Sequence, residues 1–296
     1  MKKIHVPAAL LILLAACGGP GKSVEETTPG LVIGGDDADA TAERIYQMPT
    51  PNELFSLVKD LAGEGHKRLL NPTTNADRYV SRKGRAINFG IYSTDLVYAS
   101  QFNLNVEVAR YYVTTKKLAG TLGIATAFDD LDFARLEKNI TRGDSLEVIS
   151  NAVYLKAYEK LEDEQMGASL ALVLGGGWVE SMHLLLSQVE AFGESPAYTD
   201  RIAEQKVTLE HLLSIMATHT GDPDVQALKE QLMKVRDVYD RMDVRYVQKA
   251  PQKANEKLVI GGDVQITITP EVYADLSATV NTLREELTRP EDQTRS

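Results

Sequence analysis

The chain has 296 residues, 43% of them hydrophobic, with a formal net charge of −10. That length can bury a real core, and the acidic balance without a basic patch argues against charge-driven binding to nucleic acid or anionic headgroups. Cys17 is the only cysteine, so a disulfide framework is excluded.

Lys2 and Lys3 precede an apolar run from Pro7 to Ala16. The run is too short to cross about 30 Å of hydrocarbon as a helix, and it has the layout of a signal peptide over residues 1–16. Leu14-Ala15-Ala16-Cys17 has the form of a bacterial lipobox: small residues before the cut, then a thiol that takes the lipid. The other reading of Cys17 is a chance cysteine in a plain secretory signal. From Ala16 the same stretch has Gly21-Lys22-Ser23 at the spacing of a loosened phosphate loop. That loop needs a strand before it and a helix after it, and here a signal peptide precedes and "SVEETTPG" follows. Two or more acyl chains, palmitate among them, give stable anchoring at about 0.8 kcal/mol per buried methylene. Gly18 stands where an Asp would favour inner-membrane retention, so by analogy the expected address is the outer membrane, facing the periplasm or the cell surface.

Residues 17–48 read as a lipidated N-terminus and tether, rich in Gly, Pro, Thr and acid and poor in apolar periodicity. Within it, Leu31 to Asp36 spells LVIGGD, and the same six residues recur from Leu258 to Asp263. Two readings stay open: a small two-stranded element formed by the termini, or a coincidence. The alternating, β-branched run 264–269 supports a strand there.

A helical domain is expected over 49–290. Apolar spacing and start and stop signals predict helices over 51–63, 84–102, 104–122, 129–140, 145–164, 166–191, 196–219, 222–247 and 270–287, with 71–82 as a loop. Gly123, Pro196, Pro223 and Thr269-Pro270 are the clearest boundaries. The fold class is all-α: a multi-helix bundle or an array of helical hairpins. Gly90-Ile-Tyr-Ser-Thr-Asp-Leu and Gly177-Trp-Val-Glu-Ser-Met-His-Leu hint at an internal duplication.

The stretch LALVLGGGWVES, residues 170–181, lacks the glycine order and strand frame of a dinucleotide loop. Gly167, Ala171 and Gly175 recur every four residues, which lets helix backbones approach closely. The competing reading is a pocket floored by the glycines and walled by Trp178. Glu180-x-x-His183 has the spacing used by di-iron bundles but no second copy, and Asp129-Asp130-Leu131-Asp132 lacks a calcium-loop pattern, so no metal and no cofactor are expected. No Gly-x-Ser-x-Gly elbow is present, and no catalytic residue is assigned.

The segments 69–103 and 171–182 resemble a family of uncharacterised helical lipoproteins of Bacteroidota. The resemblance covers about residues 49–220 and rests on Asn71-Pro72, Gly-Ile-Tyr-Ser-Thr-Asp-Leu and Gly-Gly-Trp-x-Glu. It implies an all-α body on a lipid anchor and carries no activity. Pairing its two Gly-aromatic-acid segments puts Tyr92, Asp95, Trp178 and Glu180 in one region as a candidate pocket. The expected role is a lipid-anchored envelope protein that binds or scaffolds a protein partner. The alternative is small-ligand binding or hydrolysis in an interhelical pocket near Asp95, Trp178 and Glu180.

Overall fold

A computed structural model describes residues 65–125, 146–163, 166–188, 196–248, 252–254, 257–259 and 262–291, with single helical positions at 51, 54, 55, 59, 134, 135 and 138. Cys17, the tether, the first LVIGGD copy and Asp129 to Asp132 lie outside the described residues, as does most of the helix expected at 129–140.

Seven long helices carry the described fold: α1 (Arg82–Gln101), α2 (Asn105–Leu122), α3 (Leu146–Asp163), α4 (Gly167–Ser187), α5 (Pro196–Ala217), α6 (Pro223–Tyr239) and α7 (Pro270–Thr288). The fold class is all-α. Short 3-10 turns at Lys67–Leu69 and Thr73–Arg78 precede α1, in the stretch whose 71–82 portion reads as loop.

Local chemistry sets the ends. Ser81 caps α1 by accepting from the Gly84 amide at 2.9 Å. The first turn of α1 begins with Arg82 and Lys83 and has no acid of its own to oppose the helix dipole. Glu291, far along the chain, supplies one: its Oε2 accepts from the Val80 and Ser81 amides at 2.6 and 2.8 Å. Burial opposes its charge, yet the bonds from Ser81 and Val80 hold the Glu291 carboxyl below its ordinary range. Gly123 ends α2 at φ 82°, a left-handed conformation that glycine adopts without strain. Asp222 caps α6 through the Asp224 and Val225 amides, both at 3.1 Å. Thr269 caps α7, with Pro270 at the first helical position.

Helix α4 is the centre. It packs against α1, α3, α5, α6 and α7, and its pairing with α1 is the most extensive contact in the fold. Its sequence is apolar all round, which is what a helix surrounded by others requires. By length and composition it could cross a membrane, but 94% of its most apolar window is buried within the fold, as a core helix should be.

The glycine triplet makes this possible, with a different division of labour from the one the spacing suggests. A Cβ on Gly176 would enter the space of the Ile87 carbonyl oxygen, and one on Gly90 would enter that of Val173. Gly177 faces Gly90 and Thr94, and Thr94 Oγ1 donates to the Gly177 carbonyl at 3.3 Å. The α1 contact therefore runs through Gly176 and Gly177. Gly175 instead meets Leu228 of α6 and Met216 of α5, and Gly167 meets His219. The Gly167-Ala171-Gly175 spacing does mark a close-packed face, but its end residues serve a different neighbour.

One expected helix is shorter than its pattern. Val235, Tyr239, Met242 and Tyr246 continue a helical spacing, yet α6 ends at Tyr239 and residues Asp243–Gln248 form β1. This strand pairs antiparallel with β4 (Gly262–Thr267), with Asp243 opposite Thr267 and Gln248 opposite Gly262. Between them, β2 (Gln252–Ala254) pairs with β3 (Lys257–Val259). The second LVIGGD copy thus supplies the last residues of β3 and the first of β4, and its described partners lie between Val247 and Lys253, close along the chain. The strand expected at 264–269 overlaps β4 over 264–267, and Thr269 instead caps α7.

Candidate functional site

Asn88, Tyr92 and Asp95 are spaced four and three residues apart along α1, so they share one stripe of the helix. All three are fully buried. Buried polar groups need partners, and the segment before α1 supplies them. The Asn71 amide donates to Asp95 Oδ2 at 3.1 Å. The Asn71 side-chain amide donates to Tyr79 Oη at 3.1 Å and to Asn88 Oδ1 at 3.2 Å. Tyr111 of α2 donates to the Asn71 carbonyl, and Tyr92 to the Pro72 carbonyl, both at 2.8 Å. A loop run inside a protein carries backbone groups that water cannot reach, and these side chains satisfy them one by one.

Glu180 of α4 approaches the same place and is fully buried. Arg284 of α7 grips it with two parallel bonds, Nε to Oε2 and Nη2 to Oε1, both at 2.9 Å. This two-pronged geometry matches guanidinium to carboxylate. Nη2 of Arg284 also donates to the Leu69 carbonyl at 3.0 Å. Burial opposes the Arg284 charge, but Glu180 and, more weakly, Asp95 hold its pKa above the ordinary value. Burial, together with the negative Glu180 beside it, pushes the Asp95 carboxyl well above the usual carboxylate range, although Arg284 pulls the other way. Burial raises the Tyr92 and Tyr111 hydroxyls as well.

Of the four candidate residues, Asp95 and Glu180 meet, and Tyr92 borders them through its place on the α1 stripe. Trp178 stands apart. It lies two residues before Glu180 on α4, about 200° away around a helix that turns about 100° per residue. Its indole is buried, with no acceptor for Nε1 among the described residues. The aromatic-next-to-acid pattern is adjacent in sequence and nearly opposite in space.

His183 sits one turn beyond Glu180. Its Nδ1 is 2.7 Å from Asn281 Oδ1 and its Nε2 3.3 Å from the Leu69 carbonyl. Both ring nitrogens thus face hydrogen-bonding oxygens. Among the described residues, no three His, Cys, Asp or Glu side chains gather as a metal site would need.

Sequence reasoning missed Arg284. A signal existed: Leu276, Val280 and Arg284 are spaced four apart, so the arginine falls on the buried face of α7. A cation in an apolar register calls for a buried acid. Asn71 and Asn88 were missed for a different reason, since nothing in a loop-like NPTTNADR marks its first residue as buried.

A surface cleft of about 250 Å³ opens nearby between the start of α1, the middle of α6 and the end of α7. Lys83, Gln231, Glu286, Arg289 and Glu291 give it a mixed-charge lining. Tyr79 lies between cleft and buried cluster, its hydroxyl donating to the Thr288 carbonyl at 2.9 Å. Neither Asp95 nor Glu180 lines it.

No family model matches this chain, and no curated protein or solved structure matches it either. The chemistry must therefore be read from its own residues. A carboxyl pair, one guanidinium and a ring of tyrosines could hold or exchange a proton, and they tie the 66–80 segment to four helices.

Proposed function

We propose that the chain is a lipid-anchored protein of the cell envelope, held at the outer membrane through Cys17, whose helical body binds or scaffolds a protein partner. The lipobox-like Leu14-Ala15-Ala16-Cys17 supports the anchor. The observation that carries the partner reading over the pocket reading is the closure of the Asp95–Glu180 centre. Both acids are fully buried and engaged with the protein's own backbone and Arg284. The surface, by contrast, offers apolar positions in register. Val106 and Val113 lie seven residues apart on α2, exposed at 68% and 54%, and Val148 and Leu155 do the same on α3 at 65% and 41%. Seven residues is close to two helical turns, so each pair lies on one face. Paired exposed apolar residues, with Arg110 between the two valines of α2, suit a protein partner better than a small polar ligand.

Metabolic labelling with a fatty-acid probe tests the anchor. Wild type should take the label and sediment with outer-membrane fractions, and Cys17→Ser should do neither. An unlabelled wild type, or a Cys17→Ser protein that still fractionates with the membrane, contradicts the anchor. The partner reading is tested separately by cross-linking in membranes from a photoreactive residue at Val113. A discrete adduct should form and be lost in Val106→Glu, while thermal stability stays within about 0.5 kcal/mol, as for an ordinary surface change. No adduct from position 113, nor from a second probe at Leu155 on α3, contradicts it.

A further inference from the structure

Asp95 is fully buried and only half satisfied. Its Oδ2 accepts from the Asn71 amide at 3.1 Å, whereas its Oδ1 has no donor among the described residues. The group beside it is the Glu180 carboxylate, whose two oxygens accept from Arg284. Two carboxylates therefore share one buried volume with one guanidinium, and that guanidinium is committed to Glu180 and the Leu69 carbonyl. If both acids were ionised, Oδ1 would be an unpaired buried acceptor beside a second negative charge. Such an arrangement is strongly unfavourable. One proton on Oδ1 removes the charge and turns the orphan acceptor into a donor that Glu180 can accept.

We propose that Asp95 keeps its proton in the folded protein at neutral pH and donates it from Oδ1 to Glu180, making a pH-sensitive clasp that holds the 66–80 segment against α1, α4 and α7. Asp95 then bonds on both sides, accepting from Asn71 and giving to Glu180. The groups around it fit this state. From α1 come Tyr92 and Tyr98, from α2 Tyr111 and Glu107, from α4 Glu180 and His183, from α7 Arg284, and from the segment itself Tyr79. Burial raises each of the four tyrosine hydroxyls, so they stay neutral and add no charge near pH 7. Asp95 itself is raised well above its ordinary value, first by burial and then by Glu180.

The sign of the pH effect follows. A carboxyl raised on folding binds its proton more tightly in the folded state. Its contribution to stability is whole below the ordinary aspartate value and declines as pH rises toward the folded value. The decline is at most tenfold in the folding equilibrium constant per pH unit. Once the proton is gone, Asp95 and Glu180 repel across the bond they shared. Asn71, held by Asp95, and Leu69, held by Arg284, are the backbone points through which the segment would let go.

Infrared difference spectra of the full chain, with isotopically labelled aspartate or glutamate, read the proton directly. The expected result at neutral pH is the carbonyl stretch of a protonated carboxyl that moves with the aspartate label and disappears in alkali. Asp95→Asn should lack that band, because its amide can accept from Asn71 and donate to Glu180 without a proton to lose. Its denaturant midpoint should fall less steeply with rising pH than that of wild type. The proposal is overturned by a neutral-pH spectrum with no protonated carboxyl, by a band that follows the glutamate label, or by identical pH slopes in the two proteins. Should Asp95→Asn fail to fold, the labelled wild-type spectra decide alone.

Discussion

Alanine in place of Gly176 should destabilise the protein by about 3 kcal/mol or more, despite being the better helix former. The intrinsic preference favours alanine by about 1 kcal/mol inside a helix. Against it stands the new Cβ, which would occupy the space of the Ile87 carbonyl oxygen, with the Ile87 carbonyl carbon and Cα also within contact. A flexible side chain could move aside, but these are backbone atoms within the second turn of α1. The two helices would have to separate along their whole contact. Overpacking of a core commonly costs about 1–3 kcal/mol, and a rigid neighbour places this case at the upper end or beyond. Gly120 is the control: it is helical and exposed, and a Cβ there meets nothing within 4 Å. Gly120→Ala should stabilise by about 0.5–1 kcal/mol. Denaturant melts of the two variants should therefore shift in opposite directions. A neutral Gly176→Ala would mean that α1 and α4 are not in backbone contact.

Arg284→Met should cost about 3–5 kcal/mol, the range for removing one partner of a buried ion pair. The lost contacts are only part of this. Glu180 would remain fully buried with no cation, beside Asp95, and the Leu69 carbonyl would lose its Nη2 donor. The penalty belongs to the charge left behind, so it should shrink in the double variant Glu180→Gln, Arg284→Met, which leaves neither charge. A double-mutant cycle built on these proteins should give a coupling energy of at least 1 kcal/mol. Additive effects of the two changes would show that the arginine and the glutamate do not act as a pair.

Most helix boundaries were legible because local signals state them: Gly123 after α2, Pro196 and Pro223 opening α5 and α6, Thr269-Pro270 opening α7. The overrun at α6 arose because the four-three-four spacing from Val235 to Tyr246 outlasts the helix, and no glycine or proline at 240–242 interrupts it. The meeting of Asp95 with Glu180 was legible from two similar segments. What completes it was not, since Arg284 lies 104 residues from Glu180 and Asn71 sits in an unpatterned loop. The misplaced Trp178 shows the limit of adjacency: neighbours in sequence point to different sides of a helix. Glu291 makes the same point for capping, since the acid that serves the start of α1 lies 210 residues beyond Ser81.

The central claim is that the conspicuous glycine and acid segments form the closed middle of the fold rather than an open ligand site. Native-state hydrogen exchange tests it most directly. The amides of residues 90–94 and 173–177 should be the slowest in the protein, exchanging only with the free energy of global unfolding, because they lie at the most extensive helix contact. Exchange there through local openings of lower free energy, as in a ligand cleft that breathes, would contradict it.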